Sequence, residues 1–218
     1  MKLWSYWRSS SAYRVRIALG LKGVDYEYQA VHLMRDGGQQ HGQGFASLNP
    51  HRQVPVLEVE DGAQSVWLVQ SMAIIEYLDE RFPEPPLLPS SALDRAHVRA
   101  LAELVNSGIQ PLQNTGTFLE LSRLGAETMP WAQHFVQKGL ASLEKLAAPR
   151  AGAFLFGDRV SLADVYLVPQ LYNARRFGVP LEAYPTLTRA EQNAQALPAF
   201  QRARPELQPD AEHSPPAP

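Results

Sequence analysis

The chain contains no cysteine among its 218 residues. Disulfides, thiolate metal sites and a protein-borne catalytic thiol are thereby excluded, and any sulfur chemistry must use a sulfur brought in by a ligand. Charge of one sign is lacking too: 20 Lys and Arg stand against 22 Asp and Glu, a formal charge of −2. That balance leaves no electrostatic footprint for nucleic acid or an acidic membrane. No apolar run approaches the roughly 20 residues that span a bilayer, and the opening MKLWSYWRSS does not read as a secretory leader. The six histidines, His32, His41, His51, His97, His134 and His213, show no metal-ligand spacing, so no metal is expected. What is present, 45% hydrophobic and 19% charged residues, describes a globular protein with a sizeable core, expected in a reducing cytoplasm.

Up to about residue 83 short β-like runs alternate with helical patterns. Lys2 to Tyr6 reads as a strand, Ser11 to Lys22 as a helix with Ala12, Val15, Ala18 and Leu19 at helical spacing, and Asp25 to Val31 as a second strand. Val54 to Val59 and Ser65 to Leu68 flank Asp61-Gly62, a strong hairpin signal, and Ser71 to Phe82 is amphipathic. The order β-α-β, spacer, β-β-α predicts an α/β sandwich over 1–83 with a parallel first pair and an antiparallel last pair. Pro83-Glu84-Pro85-Pro86 marks a linker over 84–90. From 91 to 204 the strand signals fade. Helical periodicity over Asp94 to Leu124, Met129 to Leu146, Leu162 to Phe177 and Thr186 to Ala196 predicts an all-helical domain, with Ser161 and Asp164 at a helix start. Residues 205–218 carry five prolines and almost nothing apolar, and read as a disordered tail.

Ser9, Ser10 and Ser11 stand where the first strand gives way to the first helix, and Gln70-Ser71 stands at the entrance of another helix just after a strand. Capping alone accounts for either group. Both together offer two helix N-termini, with hydroxyls, to a ligand bearing two negative groups. Gln53-Val54-Pro55 at a strand start is either a turn or a place where backbone pairs with an extended peptide ligand.

The run Arg8-Ser9-Ser10-Ser11-Ala12-Tyr13-Arg14-Val15-Arg16-Ile17-Ala18-Leu19 resembles the signature of zeta-class glutathione transferases, whose best-known activity is maleylacetoacetate isomerase. So do Asn49-Pro50 through Pro55, Gln70 through Leu78, Gly108 through Asn114, and Gly157-Asp158 through Gln170. The resemblance implies the glutathione transferase fold, that is, an α/β thioredoxin-like N-terminal domain followed by an all-α helical C-terminal domain. It also implies a homodimer with glutathione as cofactor. By position it places the glutathione thiol beside Ser9, Ser10 and Ser11, with Ser9 the first choice of hydroxyl and Ser10 the second. Gln40, Gln53, Val54 and Pro55 lie along the tripeptide, Gln70 and Ser71 at its γ-glutamyl end, and Gln110, Asn114, Thr115 and Gly116 on the helical side. Ser11 stands where the family usually has a cysteine.

Lowering a thiol pKa by about two units needs roughly 2.7 kcal/mol. A hydroxyl hydrogen bond to a charged sulfur supplies about 1.5 to 3 kcal/mol and a helix N-terminus about 0.3 to 1 kcal/mol, so no general base is required. Cis-trans isomerisation by reversible thiolate addition develops charge on a diketo acid, which calls for cations at the rim. Arg8, Arg14 and Arg176 are the candidates, Arg176 by position in the resemblance. Residues 14 and 16 point to nearly opposite sides of a helix, so one of Arg14 and Arg16 is expected at the surface, as is one of Arg175 and Arg176.

The leading expectation is isomerisation of maleylacetoacetate, an unsaturated diketo acid, in tyrosine and phenylalanine breakdown. Alternatives are maleylpyruvate isomerisation, glutathione transfer to α-halo acids, or a non-catalytic glutathione-binding stress or interaction protein.

Overall fold

In the computed structural model, residues 1–212 are described. They divide into two compact units, Met1–Pro85 joined by the chain from Pro198 onward, and Pro86–Leu197.

The first unit is built on four strands, β1 (Lys2–Ser5), β2 (Glu27–Ala30), β3 (Val56–Asp61) and β4 (Gln64–Val69), in the order β2-β1-β3-β4. β1 and β2 are parallel, Ser5 opposite Ala30, and β1 with β3 and β3 with β4 are antiparallel. Asp61 and Gln64 close the hairpin, where Gly62 takes φ 62, a left-handed backbone that glycine adopts without a Cβ clash. Trp4, Val56 and Val69 are in register and so share a face, where they join Tyr6, Trp7, Val31 and Phe45 of the short helix α2 (Gln43–Leu48) in one apolar cluster. The alternate row, Leu3 and Leu57, is fully buried on the opposite face. Helices α1 (Ser10–Leu21) and α3 (Ser71–Arg81) pack on one another, completing the α/β, thioredoxin-like arrangement expected from the sequence.

The second unit is helical: α4 (Ala92–Gly108), α5 (Thr115–Arg123), α6 (Thr128–Ala147), α7 (Leu162–Arg176) and α8 (Pro185–Gln195). α7 is buried along most of its length and packs on α4 and α8. Its start is a capping box: Asp164 accepts the Ser161 N–H at 2.8 Å and the Ser161 hydroxyl at 3.0 Å, and its other oxygen accepts the Leu155 N–H at 2.8 Å. Burial pushes the Asp164 carboxyl up to about 6, with these donors pulling against it.

Two sequence expectations are corrected. The periodic stretch Asp94 to Leu124 is not one helix. It breaks after Gly108 into a 3-10 turn over Gln110–Gln113 containing Pro111, and α5 restarts with Asn114 Oδ1 accepting the Gly116 N–H at 3.3 Å. Nor is the chain beyond 205 a disordered tail up to 212. A helix α9 (Pro198–Arg202) lies against α1, with Ala199 so close to Gly20 that a Cβ there would meet it at 3.2 Å, and the segment after it docks on the first unit. The order comes from side-chain bonds of Asp210 and Glu212 to distant residues and of Gln208 to the carbonyls of Arg202 and Arg204, which offset the segment's low apolar content. The remainder of that expectation, with His213, lies outside the described residues.

Candidate active site

Strand pairing gathers four sequence-predicted groups at one end of the sheet. β1 ends at Ser5 and leads through Tyr6, Trp7 and Arg8 to Ser9. Val56, which starts β3 just after Gln53-Val54-Pro55, lies opposite Trp4. Val69, the last residue of β4 before Gln70-Ser71, lies opposite Val56. β2 ends level with Ser5 and continues to the turn holding Gln40.

Ser9 is the N-cap of α1. Its Oγ accepts the Ala12 N–H at 3.2 Å, and since that bond uses an oxygen lone pair, the hydroxyl proton remains available to donate. Ser10 is buried at the first helical position and Ser11 is half-buried beside it. No acidic residue occupies the first turn of α1, so its positive end is uncompensated by a local carboxylate.

At the second helix start, Gln70 has φ 69, a left-handed backbone rare for a residue with a side chain, and it is exposed with no side-chain cap to α3. Such conformations cost about 1 to 3 kcal/mol and concentrate at ligand clamps. Ser71 is buried, and Arg14 Nη1 donates to its Oγ at 3.3 Å. Arg14 thus ties the start of α3 to α1. The expectation of Arg14 at a pocket rim is not met, because the side chain is fully buried. Arg16 is buried as well, so neither of this pair is surface charge: α1 is covered by α3 and by α9, and the argument from opposite helix sides assumed a solvent face that α1 does not have.

Val54 and Pro55 are buried and joined by a cis peptide bond, and Gln53 O accepts the Asn49 side-chain amide at 2.7 Å. Gln40 is buried, with Nε2 donating to Leu33 O at 3.4 Å and Oε1 left without a partner. Arg8 is half-buried, its Nη2 donating to the Tyr6 hydroxyl at 3.2 Å, its guanidinium carbon 5.0 Å from the Trp7 ring centroid, and its Nε without a partner. This end of the sheet therefore holds a spare acceptor and a spare donor beside two helix N-termini. That set fits a peptide-like molecule bearing a thiol and a carboxylate, which is what glutathione is.

The second unit carries the other predicted residues. Gln110 begins the 3-10 turn, Asn114 caps α5, and Thr115 and Gly116 are exposed in its first turn. Arg176 ends α7, exposed, with Nη1 donating to Asn173 Oδ1 at 3.0 Å. Arg175 is instead fastened bidentately to Glu191 at 2.6 and 2.5 Å, which raises its already high pKa further. Among the described residues no cluster of His, Asp and Glu is arranged to hold a metal ion, and no helix is long and apolar enough to cross a membrane.

Sequence reasoning weighed Arg16 only as surface charge and gave Asp210 no part, yet both hold the turn before Ser9. The signal for Arg16 was its place in the apolar run Val15, Ile17, Ala18, Leu19, whereas Asp210 gave none.

The family profile "Glutathione S-transferase, N-terminal domain" matches residues 1–80, and "Glutathione S-transferase, C-terminal domain" matches 131–205. A maleylacetoacetate isomerase of Pseudomonas aeruginosa is 49% identical over 96% of this chain and 98% of its own length. A maleylacetoacetate isomerase from Anaeromyxobacter dehalogenans, solved with bound glutathione, superposes with TM-score 0.89 at 53% identity, covering 97% of each chain. A bacterial maleyl pyruvate isomerase described as a zeta-class glutathione S-transferase superposes with TM-score 0.91 at 43% identity over 97% of this chain and 100% of its own. On these matches, spanning both units, the chain belongs to the zeta class of the glutathione S-transferase family.

Proposed function

We propose that the protein is a glutathione-dependent cis-trans isomerase that converts maleylacetoacetate to fumarylacetoacetate, in tyrosine and phenylalanine breakdown. The observation that carries it is the meeting, at one end of the sheet, of the capped N-terminus of α1 and the Arg14-bound Ser71 at the start of α3. Full-length relatives bearing that activity support the substrate class.

Bound glutathione supplies a thiolate that adds reversibly to the activated double bond and leaves after the bond has rotated. The chain's own part is positioning and charge. Ser9 donates a hydrogen bond from its hydroxyl to the sulfur while Ala12 N–H holds its oxygen, and the open end of α1 adds positive potential. Ser10 and Ser11 flank it in the first turn. Gln53 and the backbone of Val54, before Pro55, pair with the middle of the tripeptide, and Gln40 offers Oε1 to one of its amides. Gln70 and Ser71 take the γ-glutamyl carboxylate, with Arg14 behind Ser71 as a positioning residue. By the family resemblance Gln110, Asn114, Thr115 and Gly116 are further candidates for glutathione, and Arg8 and Arg176 are candidates for the substrate's carboxylate and the oxygen that gains charge.

The proposal extends to a cytoplasmic homodimer, checked by sedimentation at several concentrations. The test of function is a side-by-side assay with glutathione on maleylacetoacetate, maleylpyruvate and an α-halo acid. Dominant turnover of the first is expected, and dominant halide release without isomerisation would overturn the substrate. Calorimetric uptake of glutathione with no turnover of any of the three would establish a binding protein instead.

A further inference from the structure

The turn that carries Ser9 is held by atoms from the far end of the chain. Trp7 N–H donates to Asp210 Oδ2 at 3.1 Å, and Asp210 Oδ1 accepts the Tyr28 hydroxyl of β2 at 2.6 Å. The carbonyls of the same turn are held by Arg16, whose Nη2 donates to Trp7 O at 3.0 Å and whose Nη1 donates to Ser5 Oγ at 3.2 Å and Tyr6 O at 3.4 Å. Arg16 Nε reaches Ala203 O at 3.1 Å, so a single guanidinium fastens both the turn and the returning segment. The segment is braced independently. Gln208 Nε2 donates to Arg202 O at 3.0 Å and Arg204 O at 2.7 Å, Ala211 packs on the cluster containing Tyr6 and Trp7, and Glu212 meets His32 and Arg35, each at 2.9 Å.

Of these groups, the Asp210 carboxylate is the one that reaches an N–H of the Ser9 turn. The Ser9 N–H in turn donates to Tyr6 O at 3.0 Å, so residues 6 to 9 move together. With Trp7 bonded at both its N–H and its carbonyl, and Ser9 at its N–H, each peptide plane leading to Ser9 carries at least one hydrogen bond that resists its rotation. Hydrogen bonds weaken steeply as they bend, so the direction of the Ser9 hydroxyl decides how well it stabilises charge on sulfur.

We propose that Asp210 is a positioning residue for the thiol site: by fixing the Trp7 peptide it aims the Ser9 hydroxyl, two residues on, at the sulfur. This rests on the proposed role of glutathione at Ser9. The groups about the Asp210 carboxylate are Trp7 N–H, the Tyr28 hydroxyl and the buried Arg16 charge, and burial together with the Asp210 bond holds the Tyr28 phenol protonated well above its usual range.

The test uses the full chain with Asp210→Ala, Asp210→Asn and, as the comparison that loosens the segment without touching the turn, Glu212→Gln. In Asp210→Ala the apparent pKa of bound glutathione, read from thiolate absorbance, should rise by about one unit, with kcat down about tenfold and glutathione affinity within about twofold. Asp210→Asn, which keeps an acceptor for Trp7, should fall between, and Glu212→Gln should titrate as the wild type. In protein without glutathione, amide exchange at Trp7 should quicken in Asp210→Ala, less in Asp210→Asn and not in Glu212→Gln. A lower melting temperature with unchanged thiol titration and unchanged Trp7 exchange would reduce Asp210 to a fastening and overturn the proposal, as would equal shifts in Glu212→Gln. Should Asp210→Ala not fold, Asp210→Asn, which weakens the acceptor for Trp7 N–H, gives the same readouts, and the absence of any shift there is equally decisive against it. A wild type that takes up no glutathione refutes the functional reading, while Trp7 exchange still tests the positioning.

Discussion

The two units bury polarity differently. The first buries cations: Arg14 and Arg16 are fully covered, and Lys22 is nearly so, its ammonium donating to Asp79 and to Pro85 O at 2.6 Å each. Arg16 and Lys22 end on backbone carbonyls, and Arg14 on a hydroxyl at a helix start. The second unit buries an amide pair, Gln113 with Gln170 at 2.8 and 3.2 Å, and two carboxylates, Asp164, which fixes a helix start, and Glu191, which holds Arg175. Its proposed ligand residues stand at helix ends, Thr115, Gly116 and Arg176 exposed, Gln110 and Asn114 half-buried. In the first unit buried cations thus fix the backbone turns leading to Ser9 and Ser71, whereas in the second the buried carboxylates fix a helix start and an arginine.

Substitutions in the two units should differ in the size of their effects. Arg16→Met should have the largest effect, about 3 to 5 kcal/mol of stability, because it strands acceptors on Ser5, Tyr6, Trp7 and Ala203 together, and a calorimetric melt will show it. Asp164→Ala comes next, at about 3 kcal/mol, since the Leu155 and Ser161 N–H groups lose their acceptor. Its pH signature has a definite sign. With the native carboxyl at about 6 against an ordinary 3.8, the native state holds the proton more tightly, so the contribution favours folding below 3.8 and is lost as pH rises through 6. That slope should vanish in the variant.

Ser9→Ala sharpens the contrast on the chemical side. It removes the cap, at about 1 kcal/mol of stability, and the donor to sulfur, so the acid limb of kcat against pH should move up by about one to two units with little change in glutathione affinity. An unmoved pH profile transfers the role to Ser10 or Ser11. Arg176→Ala should be smallest, leaving stability within about 0.5 kcal/mol because the side chain is exposed. It should raise KM for a diacid about tenfold and for a neutral electrophile hardly at all, and equal changes in both would argue against a carboxylate contact.

Local physics made much of this legible. Asp61-Gly62 announced the hairpin, the short β-like runs the strands, and Ser9, Ser161 and Asp164 the helix starts, because turn and cap chemistry act over a few residues. The burial of Arg14 and Arg16 was not legible, since helical periodicity assigns charge to solvent unless a third element is known to cover that side, and α9 lies far along the chain. The docking of 203–212 was hidden for the same reason. Pro205, Pro209 and a polar composition read as disorder, while the bonds from Asp210 to Trp7 and Tyr28 and from Glu212 to His32 are long-range and leave no local trace.

The return of the C-terminal segment makes the first unit discontinuous in the gene. A ribosome that has released residues 1–85 has not yet supplied α9, the Ala203 carbonyl for Arg16 or the carboxylate for Trp7. Those parts emerge only after the whole helical unit has been made. Unlike domains that close as soon as they leave the tunnel, the half of this protein that starts first is finished last, and a prematurely terminated product carries its serines on an unfastened turn.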